Sequence, residues 1–317
     1  MKGLVYKIES KDYYILDENK NSIRCSLRGK FQKEFNLKKN KLFEVDLVVV
    51  GDFVEFTLNQ DGSGVIESIY ERKNFISRKA PRIKGASFRG ERLEQKIASN
   101  VDNIIIVSST QNPQFNNKTI DRFLVIGESS NVNCVIVINK IDLDKENNFK
   151  LFSDLYKKIG YSLIETSVNE KNGIQELKNI LSNKVNLIWG QSGVGKSSLL
   201  NAMFPILNLK VGDVSQKTSK GKHTTVTSIL KKIENETYVI DTPGVREIEP
   251  YGITIEDLGH YFIEFKDFIN ECKFNTCTHF HEPDCAVRKA VEENRISLER
   301  YKSYLNILET IEDDMNF

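Results

Sequence analysis

Gly190-Gln191-Ser192-Gly193-Val194-Gly195-Lys196-Ser197 decides the fold of this chain. It follows the pattern Gly, four residues, Gly-Lys-Ser. Its glycines let backbone N–H groups approach a triphosphate, Lys196 is suited to reach the β- and γ-phosphates, and Ser197 to hold Mg²⁺. Val185–Trp189 reads as a buried strand directly before the loop, and Ser198-Leu199-Leu200-Asn201-Ala202-Met203 starts a helix directly after it. The motif requires that strand–loop–helix setting, because the helix N-terminus adds its positive dipole end to the anion site. Working outward, Asn139-Lys140-Ile141-Asp142 stands upstream of this loop, after the apolar run Cys134–Ile138. The carboxylate of Asp142 matches the paired N1–H and amine donors of guanine, a pair that adenine lacks. The stem of Lys140 can lie over the ring.

In Ras-like GTPases the guanine motif follows the phosphate loop. The reversed order here marks a circular permutation, which keeps the pocket and moves the chain ends. Three further segments complete the set. Thr166-Ser167-Val168-Asn169 fits a backbone contact to the guanine oxygen, although Ser167 is equally placed to cap the helix of Ile174, Leu177 and Leu181. Asp241-Thr242-Pro243-Gly244, delivered by the strand Tyr238–Ile240, brings Asp241 to the Mg²⁺ shell and the N–H of Gly244 to the γ-phosphate. Gly221-Lys222-His223-Thr224-Thr225 resembles a switch segment in which a threonine completes the Mg²⁺ coordination. Thr225 is assigned that role, with Thr224 beside it left open. Val245 stands where Ras-like enzymes carry the glutamine that orients the attacking water, and valine cannot do this. His223 is the nearest substitute, since a neutral imidazole can orient or deprotonate water. The competing reading is that His223 only binds a partner or phosphate.

The second strong signal is Cys272-Lys273-Phe274-Asn275-Thr276-Cys277-Thr278-His279-Phe280-His281-Glu282-Pro283-Asp284-Cys285, which gathers three of the five cysteines and two of the four histidines. Three thiolates and one imidazole make a closed tetrahedral Zn²⁺ site, structural rather than catalytic. By residue type the imidazole is either His279 or His281. Disulfides compete with this reading, but nothing marks secretion, and a reducing compartment favours metal.

Net charge is +1 over 317 residues, so only its distribution informs. Arg72, Lys73, Arg78, Lys79, Arg82, Lys84, Arg89, Arg92 and Lys96 face only Glu91 and Glu94, and the Lys210–Lys232 stretch holds six lysines against Asp213. Such runs suit nucleic-acid phosphate, and RNA contact is the expectation for the first. No apolar stretch is long enough to cross a bilayer and no signal peptide is evident. Residues 1–70 carry short alternating segments at Leu4–Ile8, Tyr13–Leu16, Phe43–Val50, Asp52–Thr57 and Gly64–Ile69. These predict an all-β barrel of OB-fold type. Residues 71–98 read as a basic linker, and residues 99–247 as a doubly wound α/β P-loop GTPase domain, circularly permuted. Residues 248–317 read as a mainly α zinc-binding domain. Its last helix, from Ala286, is predicted to pack Leu298, Tyr301, Leu305 and Leu308 on the body.

Together these motifs resemble the ribosome small-subunit-dependent GTPase A family (RsgA/YjeQ) over essentially the whole chain. The resemblance rests on the permuted order, on Gly190–Ser198, Gly221–Thr225, Asp241–Val245 and the spacing Cys272-x₄-Cys277-x-His279-x₅-Cys285. It implies a bacterial cytoplasmic factor that binds GTP or GDP with Mg²⁺ and one structural Zn²⁺. Such a factor docks on the small ribosomal subunit and its rRNA late in assembly; for this chain a monomer without membrane contact is expected, with room for other assembly factors as partners. Subunit-stimulated hydrolysis coupled to release is the implied activity. The resemblance makes His279 the zinc ligand and supports His223 as catalytic. The family often has three threonines after that histidine; the third position here is Val226, which leaves the switch threonine open. The runner-up function is a GTP-dependent RNA-binding switch not dedicated to ribosome assembly.

Overall fold

The computed structural model describes residues 1–29, 47–80, 94–209, 228–241 and 249–315. The first strands are β1 (Lys2–Glu9), β2 (Asp12–Leu16), β3 (Ser22–Leu27), β4 (Phe53–Leu58) and β5 (Gly64–Ile69). They run in the order β1-β2-β3-β5-β4, and β4 returns to β1 through Lys2↔Glu55, Gly3↔Val54 and Leu4↔Phe53. The sheet thereby closes into a five-stranded barrel with a parallel β3–β5 pair. Period-two alternation sends Val5, Ile15, Ile23, Cys25, Val54, Phe56 and Ile66 inside.

One expected strand does not appear among the described residues. Of Phe43–Val50, residues 43–46 lie outside the described residues, and Leu47–Val50 form a bend with a single bridge, Val50↔Ala98. The Asp52 carboxylate accepts the Val49 N–H at 2.8 Å, and Gly51 has φ +95°, so the chain turns instead of extending. The remaining barrel strand is Ser22–Leu27, where Ile23 and Cys25 alternate with exposed Ser22, Arg24 and Ser26.

The residues expected as a linker contain β6 (Phe75–Lys79) and β7 (Glu94–Ser99), an antiparallel ribbon. Several of its basic residues are engaged within the chain. The Arg72 guanidinium meets the fully buried Asp52 at 2.7 and 2.8 Å, and the Ser99 hydroxyl donates to the same carboxylate at 2.6 Å. Lys73 pairs with Asp102 at 2.9 Å, and the Arg78 guanidinium donates to Gln95 at 3.1 Å. Arg82, Lys84, Arg89 and Arg92 lie outside the described residues.

Next come β8 (Asn103–Ser109), α1 (Asn117–Ser129), β9 (Asn133–Asn139), α2 (Lys150–Ile159), β10 (Ser162–Thr166), α3 (Ile174–Leu181), β11 (Val185–Trp189), α4 (Lys196–Met203), β12 (Ile229–Lys232) and β13 (Tyr238–Asp241). The strand order is β10-β9-β8-β11-β13-β12, parallel except for the antiparallel β12–β13 pair. Isoleucine- and valine-rich strands buried on both faces are what a parallel sheet covered by helices demands. α1 and α2 contribute Ile120, Phe123, Leu124 and Tyr156 to one face; α3 and α4 contribute Leu177, Leu181, Leu199, Leu200 and Met203 to the other. The chain moves outward from β8 to β10, then returns to the centre for β11, which is the permutation seen as topology. β12 meets β1 through Lys7↔Ile229, so barrel and α/β sheet form one eleven-stranded sheet.

The C-terminal part holds two 3-10 turns, Leu258–Tyr261 and Ile263–Phe265, then α5 (Lys266–Ile269), α6 (Ala286–Glu292) and α7 (Leu298–Met315). The helix expected from Ala286 is thus two helices, parted near Asn294, whose φ is +58°. Of the expected inner face, Leu308 is buried and Tyr301 and Leu305 pack against the same core, but Leu298 does not. Leu298 is 54% exposed, and Arg300, Ser303, Tyr304, Ile307, Leu308 and Ile311 are the buried residues. Arg300 is turned inward by charged partners, which a count of apolar spacing does not register.

Candidate nucleotide pocket and metal centre

The phosphate loop leaves β11 and ends on α4. Gly190, Gly193 and Gly195 have φ of +151°, +85° and +98°. A Cβ on Gly195 would stand 2.3 Å from the Asn139 amide nitrogen, so glycine is required by close approach as well as by conformation. That approach joins the two motifs. Asn139 Nδ2 donates to Val194 O at 2.8 Å, and Thr166 Oγ1 donates to Asn139 Oδ1 at 3.0 Å. Asn139 therefore braces the loop from the end of β9, with β10 behind it. Lys140 Nζ donates to Gly193 O at 2.7 Å and also to Asn112 O. The Thr110 hydroxyl fixes the Lys140 carbonyl at 2.6 Å.

Asp142, in the 3-10 turn Ile141–Leu143, receives the Ser167 hydroxyl at 2.6 Å and the Asn169 amide at 3.0 Å, one on each carboxylate oxygen. The Ser167 bond, opposed by slight desolvation and aided by Asn169, holds this carboxyl below the usual range. An ionised carboxylate held at both oxygens keeps a lone pair on each for a paired donor. Ser167 does not cap α3, whose N-cap is Gly173 without a side-chain hydrogen bond; its oxygen instead accepts the Glu170 N–H at 3.1 Å in the preceding turn.

Lys196 opens α4, and its ammonium donates to Gly190 O at 2.7 Å and Gln191 O at 2.8 Å. Burial pushes its pKa down, and the Asp241 carboxylate pulls it back up. Asp241 ends β13 beside Ile188 of β11, which brings the first residue of the fourth motif toward the loop. Ser197 and Ser198 lie half-buried in the first turn of α4, while Ser192 is exposed at the loop's tip. His223, Thr224, Thr225, Gly244 and Val245 lie outside the described residues.

Cys272, Cys277, His279 and Cys285 come together, with all four ligand atoms within 4.8 Å of one another. His279 Nδ1 stands 3.6 Å from Cys272 Sγ and 3.5 Å from Cys285 Sγ, and the two sulfurs are 3.9 Å apart. Tetrahedral bonds of about 2.3 Å to sulfur and 2.0–2.1 Å to nitrogen have edges of roughly 3.8 and 3.5 Å, so the donors fit a metal ion of that type. His281 is exposed and outside the cluster. Burial, chiefly, holds His279 down at about 4, which keeps the imidazole neutral, as a ligand must be. Glu282 clamps the loop by accepting the Thr278 N–H and hydroxyl at 2.8 and 2.6 Å and the Phe280 and His281 N–H groups at 3.1 and 3.2 Å. Burial raises its pKa, but these bonds outweigh burial and hold it at about 2.

Thr110 and Asn112 were not legible as site residues, nor were the side-chain bonds made by Thr166, Asn169 and Glu282 within the segments that contain them. The only hint was polarity straight after apolar strands, as in Ser108-Ser109-Thr110.

Residues 69–250 match the family model for the RsgA GTPase, and residues 2–66 that for the RsgA N-terminal domain. The chain belongs to the RsgA GTPase family. It is 37% identical over 316 residues to a protein of Bacteroides thetaiotaomicron named small ribosomal subunit biogenesis GTPase RsgA 2, covering 99% of this chain and 98% of that protein. Among solved structures it is similar to YjeQ from Thermotoga maritima, with a TM-score of 0.74, 34% identity and 98% of each chain covered. It is also similar to YloQ, a circularly permuted GTPase, with a TM-score of 0.70, 31% identity and coverage of 98% and 95%. Membership of the RsgA GTPase family makes the chain a GTP hydrolase. Guanine nucleotide and Mg²⁺ are the ligands such a pocket takes.

Proposed function

We propose that this chain hydrolyses GTP on the small ribosomal subunit late in its assembly, in the cytoplasm, as a monomeric timer whose hydrolysis leads to release. One observation carries the reading: barrel and GTPase parts both match a family whose relatives are named for small-subunit biogenesis. We divide the chain into a barrel (1–70), a basic connector (71–98), a permuted GTPase domain (99–247) and a metal domain (248–317).

In this reading Asp142 selects guanine, Lys140 lies along the base, and Asn139 keeps the base subsite in register with the phosphate loop. The backbone of Gly190–Gly195 receives the phosphates with Ser197 and Ser198. Lys196 exchanges the Gly190 and Gln191 carbonyls for phosphate oxygens. That exchange is favourable because a buried ammonium gains an anion in place of two dipoles. Mg²⁺, held by Ser197, Thr225 and Asp241, would neutralise charge on the phosphates. Val245 offers no group to orient water, so His223 is assigned that role and Gly244 the sensing of the γ-phosphate. A GTPase without the glutamine turns over slowly alone, and a partner that orders His223 raises the rate. The Cys₃His cluster would hold one structural Zn²⁺, a closed crosslink that stiffens a surface for rRNA or for other assembly factors.

GTP turnover with and without purified small subunits tests this. A rise of at least tenfold is expected with subunits, lost in His223→Ala. Equal stimulation by naked RNA favours a general RNA-binding switch instead. No stimulation by either, with GTP still bound, ends the timer reading.

A further inference from the structure

Helix α1 is packed on two sides. Ile120, Phe123 and Leu124 belong to the core under the α/β sheet, whereas Val125 belongs to the core of the C-terminal part. Toward the phosphate loop, the Phe123 ring packs tilted against Trp189 with ring centroids 5.0 Å apart, and the Gln191 amide donates to the Thr119 hydroxyl at 3.3 Å. Trp189 and Gln191 flank Gly190, the first glycine of the loop. Toward the metal domain, Asp121 meets Arg300 of α7 at 2.5 Å, and both side chains are buried. Arg300 also donates to Glu264 at 2.6 and 3.0 Å, and its guanidinium lies 4.5 Å over Phe262. Asn117 and Arg122 add longer contacts to Ser303 and Thr310 of α7, at 3.5 and 3.4 Å. One helix thus touches the entry of the phosphate loop and the charged centre of the metal domain within two turns.

Two buried polar atoms beside this path, Asp121 Oδ2 and Trp189 Nε1, have no hydrogen-bond partner among the described residues. One side chain belongs to α1 and the other packs on it, so a small shift of α1 reaches both ends. A buried, bidentate guanidinium transmits such a shift, because it cannot be displaced without stranding charge.

We propose that Arg300 is a positioning residue for nucleotide binding, acting through α1: occupancy of the phosphate loop and docking of the metal domain are coupled along Gln191–Thr119, Trp189–Phe123 and Asp121–Arg300. This rests on the guanine-nucleotide reading of the pocket. The coupling is reciprocal, so nucleotide must protect α7 by the same factor by which docked α7 retains nucleotide. This route is separate from the segment after Asp241, which joins the two parts through the chain itself.

The test uses the full, metal-loaded chain and two readouts: GDP dissociation, and amide hydrogen exchange of α7 with and without GDP. Trp189 is the chain's one tryptophan, so its emission reports the loop end of the path directly. Two variants break the path at different points. Thr119→Val removes the loop bond without touching the charges, and Arg300→Lys keeps a charge but loses the fork. Wild type is expected to show slower α7 exchange with GDP and a shift in Trp189 emission. Both variants are expected to release GDP about fivefold faster or more and to lose most of the α7 response. If Arg300→Lys loses its metal, Thr119→Val decides the matter alone. GDP binding with no α7 response in wild type, or an undiminished response in Thr119→Val, overturns the coupling and leaves the nucleotide reading intact. Failure to bind guanine nucleotide at all overturns that reading, and the coupling with it.

Discussion

The GTPase domain is held on its two sides by different chemistry. On the C-terminal side, Arg300 joins Asp121 and Glu264 in a site sealed from water. On the barrel side, Lys20 and Lys232 share the exposed Glu236 at 2.7 and 2.8 Å, and Asp52 forms a buried pair with Arg72. A desolvated pair costs a great deal to break, whereas an exposed one is screened and weak. The metal domain is therefore expected to behave as a fixed part of the GTPase domain. The barrel is expected to respond to ionic strength, apart from its Asp52 anchor.

The most severe way to sharpen that contrast is Cys277→Ser. It should lower metal content from about one per chain to near zero and unfold the C-terminal part. Metal analysis and exchange mass spectrometry should show α6 and α7 losing protection while the barrel keeps it. Arg300→Met leaves Asp121 and Glu264 buried without their cation, and urea unfolding should report a loss of about 3–5 kcal/mol. Asp52→Asn strands Arg72 in part and weakens the bonds from Ser99 and Val49; about 2–3 kcal/mol is expected, read as loosened barrel docking. The smallest effect belongs to Glu236. Hydrogen bonds from Lys20, Lys232 and Tyr238 hold its carboxyl at about 2, below the usual carboxylate value near ~4.3. Because the folded value is depressed, the contribution is complete above about pH 4.5 and fades as pH falls toward about 2. Thermal melts of Glu236→Gln and wild type should differ slightly at pH 7 and low salt. They should converge on acidification or in 1 M salt. A gap that survives high salt would break the comparison on the barrel side.

The same contrast explains what the sequence made legible. The phosphate loop and the Cys₃His cluster are local: all their chemistry lies within one short stretch, and the loop's strand and helix flank it directly. Asp142 was legible for the same reason, but its holder Asn169 and the Asn139 bond to Val194 join segments far apart in the chain. β3 escaped notice because Cys25, Ser26 and Arg24 make a weak alternation, rescued in the fold by pairing with β2 and β5. β12 is four residues long and half lysine, and becomes a strand by pairing with β13 and, at Ile229, with β1. Arg300 carries no signal in the sequence, because no spacing rule predicts a charge that finds two acids from other elements.

The joint between β1 and β12 has one more consequence. β12 ends the α/β sheet, and a sheet that ends in open backbone groups is a template for pairing with another molecule. By setting β1 against that border, the barrel caps it, as Lys231 and Lys232 help to do by charge. A version of the chain shortened from its start would therefore lose more than the barrel itself. It would bare a strand edge next to the nucleotide site, and poor solubility rather than poor folding would be the first sign of its absence.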